Sequence, residues 1–193
     1  MARRHNLCYG VSQRENRVKL AKAQGFALID LIFVCGIIGL LCGIALPRLL
    51  LARQTAYSAS AIGSMRAINS AQLTYALTCG NGFYAPNLTT LGTPPPGSME
   101  PFLAGGLTSA DTVTKSGYVV QLSGTAYAGA PATCNGLGPG DAAQAYKAAA
   151  DPAEPTNSRF FAINASGTIY EDSSSLFAAM PEVGEPASGH VYR

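Results

Sequence analysis

From Phe26 to Leu46 the chain reads FALIDLIFVCGIIGLLCGIAL, twenty-one residues whose only charge is Asp30. At 1.5 Å per residue a helix of this length covers roughly 30 Å, the thickness of a hydrocarbon core. A run of this length and apolarity is a candidate membrane span, and the rest of the chain is organised around it. The composition agrees: apolar residues make up 48% of the chain and charged residues only 12%, poor in charge for a soluble protein. The formal net charge of +2 hides a split. Ahead of Gly25, Arg3, Arg4, Arg14, Arg17, Lys19 and Lys22 face only Glu15, a net of +5, whereas the rest, seven basic and ten acidic residues, carries −3. The basic excess therefore belongs to a leader that the positive-inside tendency holds in the cytoplasm, with residues beyond Pro47 outside. It indicates membrane topology and no nucleic-acid-binding surface. A cleaved secretory signal peptide shares this plan, but here the run is long, carries a carboxylate near its start, and is followed by Pro47, Arg48 and three leucines instead of a small-x-small cleavage site.

With 193 residues the chain has room for one ordinary domain besides a leader and an anchor. Its expected organisation is a basic leader over 1–25, a membrane-spanning helical half over 26–46, an amphipathic continuation over 47–79, and an exported domain over 80–193. Small residues at Ala52, Ala56, Ser60, Gly63, Ala67, Ser70 and Thr74 recur with a near-helical period, and bulkier Ile62, Met65, Leu73 and Leu77 mark a second face. One helix from about Phe26 to Leu77 follows, one face suited to a core and one to close helix contact. Pro47 inside it removes one backbone bond, so a kink or local melting is expected there. Gly80, Asn81 and Gly82 stop the helix.

Residues 81–107, with Pro86, the Pro94–Pro96 run and Gly105-Gly106, read as an irregular connection. Ser116–Ser123 reads as a strand, and Arg159–Asp172 as two strands joined by Asn164–Gly167. Alanine propensity makes a helix of Asp141–Ala150. Of the five cysteines only Cys79 and Cys134 share the exported, oxidising side; an even count there favours a disulfide, with two free thiols as the alternative. Cys35 and Cys42 are small lining residues of the apolar helix.

The stretch Gly25, Phe26, Ala27, Leu28, Ile29, Asp30, followed by the apolar run with Gly39 and Pro47, resembles the type IV prepilin family and the related pseudopilins of type II secretion. The family pattern is a basic leader ending in Gly, then Phe, a residue often Thr, then Leu, Ile and Glu; this chain has Ala27 and Asp30 at the two departures. The resemblance implies a prepilin peptidase that cuts between Gly25 and Phe26 and methylates the new Phe26 amine. It also implies an inner-membrane precursor with a cytoplasmic N-terminus, an assembly platform, and polymerisation with identical or related subunits into a pilus or pseudopilus. The fold expected is α+β, a long N-terminal helix packed on a small antiparallel sheet. By the same resemblance Ala145–Ala150 is a strand, overruling propensity, in a sheet with the segments around Gly117-Tyr118, Arg159–Phe161 and Gly167–Ile169.

Asp30 has a physical reading of its own. An unpaired carboxylate in hydrocarbon costs about 2.5 kcal/mol or more, so it either pairs with the Phe26 ammonium of a neighbouring subunit or snorkels to the interface. An enzyme is the competing class and finds little support. His190 is the only histidine outside the leader, no Cys-x-x-Cys or His-x-x-x-His occurs, and no serine carries a nucleophile motif. No cofactor is implied. Glu171, Asp172, Ser173 and Ser174 offer oxygen ligands for calcium, with a solvated hairpin end as the plainer reading. Asn87-Leu88-Thr89 and Asn164-Ala165-Ser166 fit the glycosylation acceptor pattern, which is frequent by chance. A membrane-anchored binding module is the remaining alternative to a filament subunit.

Overall fold

The structure is a computed structural model that describes residues 28–104 and 106–193. Helix α1 runs Leu28–Thr78 and continues through Pro47, whose ring withholds one N–H from the ladder. The chain divides into two compact units between Leu46 and Pro47. Helix α1 stops where the glycines and asparagine stand: Asn81 (φ 52°) and Gly82 (φ 90°) are left-handed, and the Gly80 and Gly82 amides donate to the Tyr75 and Ala76 carbonyls, both at 2.8 Å.

In the second unit six strands form one antiparallel meander, in chain order: β1 Thr112–Lys115, β2 Tyr118–Ser123, β3 Lys147–Pro152, β4 Phe160–Asn164, β5 Ile169–Asp172 and β6 His190–Val191. The fold is thus α+β, one long helix and a small antiparallel sheet. The alternation of β2 sends Tyr118, Val120 and Leu122 into the core while Val119 and Gln121 stay half-buried. Facing them from α1 are Ala61, Ile62, Met65, Ile68 and Tyr75, with Phe161 and Ile163 of β4 joining the same cluster. The opposite sheet face is covered too. Ala149, Ala162 and Tyr170 pack against Leu176 and Met180 of the chain that follows β5.

That second layer explains the strand at β3. Ala148 and Ala150 face the helix cluster and Ala149 the other one, and all three are fully buried. Alanine is small enough to let both layers close on one strand, and burial on both faces erases the alternation that would have announced it. The helix that propensity alone gives for Asp141–Ala150 is accordingly not formed. The hairpin expected at Asn164–Gly167 joins β4 to β5, with the Gly167 amide donating to the Asn164 carbonyl at 2.9 Å.

Three other expectations are corrected. The strand expected from Ser116 begins at Tyr118, because Ser116 (φ 48°) and Gly117 (φ 74°) form the turn of a hairpin with β1, the two left-handed residues that a tight two-residue turn demands. The connection at 81–107 contains one helical turn, α2 Leu88–Leu91, capped by Asn87 Oδ1 accepting from the Thr90 amide at 2.9 Å. Of the four bulky residues assigned to one helix face, Ile62 and Met65 are buried but Leu73 and Leu77 are 45% and 84% exposed. The buried stripe passes instead through Gln72, Tyr75 and Ala76, since Gln72 is held by both backbone groups of Ala85, donating to its carbonyl at 2.8 Å and accepting from its amide at 2.9 Å.

Polar groups inside the second unit are joined in small networks. Tyr118 OH donates to the Arg159 carbonyl at 2.9 Å and accepts from Asn157 Nδ2 at 2.8 Å, with Ser58 Oγ 3.0 Å away. Tyr146 OH donates to Asn69 Oδ1 at 2.6 Å. Burial, together with the neighbouring Tyr84 hydroxyl, pushes the Tyr146 phenol well above its ordinary pKa of 10.0, so it remains a donor at any ordinary pH.

Candidate functional site

Every residue of α1 from Leu28 to Leu50 is exposed, including Leu28 (74%), Ile29 (73%), Phe33 (68%) and Leu40 (69%). The helix is long and apolar enough to cross a membrane and lies near the N-terminus, and its most apolar stretch is not buried inside the protein. An apolar surface continuous around a helix is stable only in lipid or against other apolar helices. Asp30 is the only charged residue of Leu28–Pro47. Gly36, Gly39 and Gly43 meet nothing within 4 Å of an added Cβ, and Cys35 and Cys42 are free thiols. The expected cleavage and methylation positions, Gly25 and Phe26, lie outside the described residues.

Cys79 and Cys134 form a disulfide with Cα atoms 4.9 Å apart. It fastens the end of α1 to the long β2–β3 connection, and polar bonds repeat the attachment. The Cys134 amide donates to the Cys79 carbonyl at 3.1 Å. Asn135 accepts from Tyr75 OH at 3.2 Å and donates to the Thr90 carbonyl at 2.9 Å.

The other candidates are placed as follows. Glu171 takes Nε and Nη2 of Arg159 in a two-pronged pair at 2.5 and 3.0 Å, while Asp172 Oδ1 accepts from the Ser173 amide at 2.6 Å. Among the described residues no group of three or more His, Cys, Asp or Glu is arranged to hold a metal ion. His190 is exposed on β6 and borders an open cleft of about 620 Å³ with Arg159, Glu171 and Arg193. Of the two glycosylation-like asparagines, Asn164 is fully buried and donates to the Pro181 and Gly184 carbonyls at 3.0 and 2.7 Å, leaving no amide for a sugar. Asn87 is the α2 cap.

Two shifted acids of the sheet, Glu171 on β5 and Asp151 on β3, have opposite pH signatures. Hydrogen bonding and charge from Arg159 hold Glu171 below its ordinary pKa of 4.5. The stability it contributes is therefore present above about pH 4.5 and lost as pH falls through the lowered value. Burial raises Asp151 above 3.8, against the bond it accepts from Ser175 Oγ at 2.6 Å, and its Oδ1 is buried without a partner. Its contribution is present below pH 3.8 and lost as pH rises through the raised value. Since the Arg159 side chain is 42% exposed, the pair is screened and contributes about 1 kcal/mol or less. Glu171→Gln is expected to lower Tm by roughly 2–4 °C at pH 7, with parent and variant curves converging below the carboxylate range. A gap that persists unchanged at low pH would contradict the ion pair as its source.

A cleft of about 220 Å³ beside the first turns of α1 after Pro47 was not anticipated. Leu50, Arg53, Tyr57, Gly117 and Glu154 border it. The sequence pattern places Ser116 and Gly117 in a strand, and the approach of residues near 55 to residues near 155 is long-range and carries no local signature.

No protein-family profile, curated protein or solved structure matches the chain.

Proposed function

We propose that the chain is a prepilin-type protein, a structural subunit of a type IV pilus or pilus-like filament, anchored in the membrane as a precursor and polymerised through its N-terminal helix. One observation carries the reading: an apolar helical surface exposed all round, with a single carboxylate four residues past Phe26, running into the helix that the sheet packs against. A simple anchor has no use for Asp30, which costs about 2.5 kcal/mol or more in lipid. A filament subunit uses it. Cleavage after Gly25 creates an ammonium on Phe26, and assembly brings that charge beside the carboxylate of a neighbour where water is excluded and the attraction is strong. The exposed face of α1, with Ala52, Ala56, Gly63, Ala67, Ser70 and Thr74, allows close approach of a second helix. The domain carried outside is fastened by a disulfide, as suits an oxidising compartment.

Intact-mass analysis of the protein purified from the cell envelope tests this. The expected species begins at Phe26 and carries one added methyl group on its amine. A chain that begins beyond Leu46, as after signal-peptide cleavage, or one that retains residues 1–25 would overturn the assignment.

A further inference from the structure

Resting on the membrane-anchored reading above, we infer that the cleft between α1 and the β3–β4 loop is a seat for the headgroup of an ethanolamine phospholipid. Arg53 follows Leu46 by seven residues in the sequence, so on the membrane-anchored reading it belongs to the first part of the chain to leave the hydrocarbon, where the headgroups stand. Leu49, Leu50 and Leu51 are 51%, 61% and 64% exposed, a collar of apolar side chains pointing in several directions just past Pro47. Such a collar is stable in the boundary between acyl chains and headgroups.

The cleft is built before anything enters it. Gln54 Nε2 donates to the Thr156 carbonyl at 3.2 Å, pinning the β3–β4 loop to the helix, and the Ala153 amide donates to the Gly117 carbonyl at 2.9 Å, joining that loop to the β1–β2 turn. The Asn157 amide closes a turn on the Glu154 carbonyl at 3.2 Å. Gly117 is left-handed, and a Cβ on it would stand 2.9 Å from the Tyr57 ring; without one, the ring lies on the turn and forms a wall of the cleft.

The charges at its rim match a zwitterion. Arg53 and Glu154 are both exposed and line the same cleft, yet the only ion pair among the described residues is Arg159–Glu171. A guanidinium takes a phosphate in two-pronged fashion. A carboxylate takes the primary ammonium, and the Tyr57 ring offers it a further favourable face. Leu50 receives the upper part of the acyl chains. A helix of a partner protein, about 10 Å across, is too large for about 220 Å³. An anionic headgroup without an ammonium leaves Glu154 facing the phosphate.

The test uses the full chain in vesicles of phosphatidylglycerol with either phosphatidylethanolamine or phosphatidylcholine, with flotation reporting insertion and native mass spectrometry reporting the lipid retained. The parent is expected to retain ethanolamine lipid over choline lipid by about fivefold, the ratio that one interfacial charge-assisted hydrogen bond supports. Glu154→Gln should abolish that preference, Arg53→Gln should lower retention of both lipids, and Glu100→Gln, at an exposed site away from the cleft, should change neither. All four chains should float equally, since neither Arg53 nor Glu154 holds the fold together. Equal retention of the two lipids by the parent, or an undiminished preference in Glu154→Gln, overturns the seat while leaving the membrane reading intact. So does unchanged lipid retention accompanied by lower filament yield in both cleft variants, which would make the cleft a contact between subunits. A parent chain that does not float overturns both.

Discussion

An Asp30→Ala chain is expected to enter the membrane as well as the parent or better, to lose its leader normally, and to reach sheared filaments only at background level. The three outcomes separate because they draw on different atoms. Insertion depends on the apolar side chains, which are exposed through the whole of Leu28–Leu46, and removing a carboxylate from among them relieves a cost of about 2.5 kcal/mol or more. On the proposed prepilin reading, leader removal would need the Gly25–Phe26 bond and not the side chain four residues on. Incorporation differs because, on the filament reading, the Phe26 ammonium of the incoming subunit would be left without a counter-charge in an apolar core, a penalty of several kcal/mol. That corresponds to a loss of at least a hundredfold in incorporation. Asp30→Glu should retain assembly, keeping the charge with a longer reach. Yields of membrane fraction and sheared filaments for the three chains decide the matter; normal incorporation of the alanine variant would return Asp30 to the role of a snorkelling interface residue.

What could be read from the sequence was local. The run of α1 from Leu28 to its stop at Asn81 and Gly82, the Asn164–Gly167 hairpin and the candidate bridge between Cys79 and Cys134 each depend on neighbouring residues or on a count within one compartment. What escaped was decided across the fold. Leu73 and Leu77 have the hydropathy of core residues and the right spacing to each other, but the core stripe is fixed by Gln72 reaching Ala85, which turns those two leucines outward. Strand β1, with one buried residue in four, has no hydrophobic signal until β2 is laid beside it. The strand at Ala148–Ala150 came from a family likeness and not from propensity, because a strand covered on both faces has no alternation to detect. The same limit applies to function. Asp30 is conspicuous as one charge in a run of apolar residues, whereas Arg53 and Glu154 are ordinary surface charges until folding brings them to one cleft.

The disulfide is expected to contribute stability chiefly through the unfolded chain, and this fixes the form of the last prediction. Cys79 and Cys134 are separated by 55 residues, and closing a loop of that length is worth about 4 kcal/mol in the chain-entropy account. The native attachment does not depend on the bond alone, because the Cys134 amide, Asn135 and Asn81 hold the same loop through the Cys79 carbonyl, Tyr75 OH and the Ala132 carbonyl. A Cys79→Ala/Cys134→Ala chain should therefore keep its native circular dichroism at low temperature, yet melt about 10 °C or more below the parent. Reductant should bring the parent down to the variant and leave the variant unmoved, since Cys35 and Cys42 are free thiols. A parent whose melting is insensitive to reductant once the bond has been shown to open would mean that the open chain is already constrained near this geometry. The polar contacts of Asn135 would then be the principal fastening, and Asn135→Ala, which strips partners from Tyr75 OH and the Thr90 carbonyl, would be the larger perturbation.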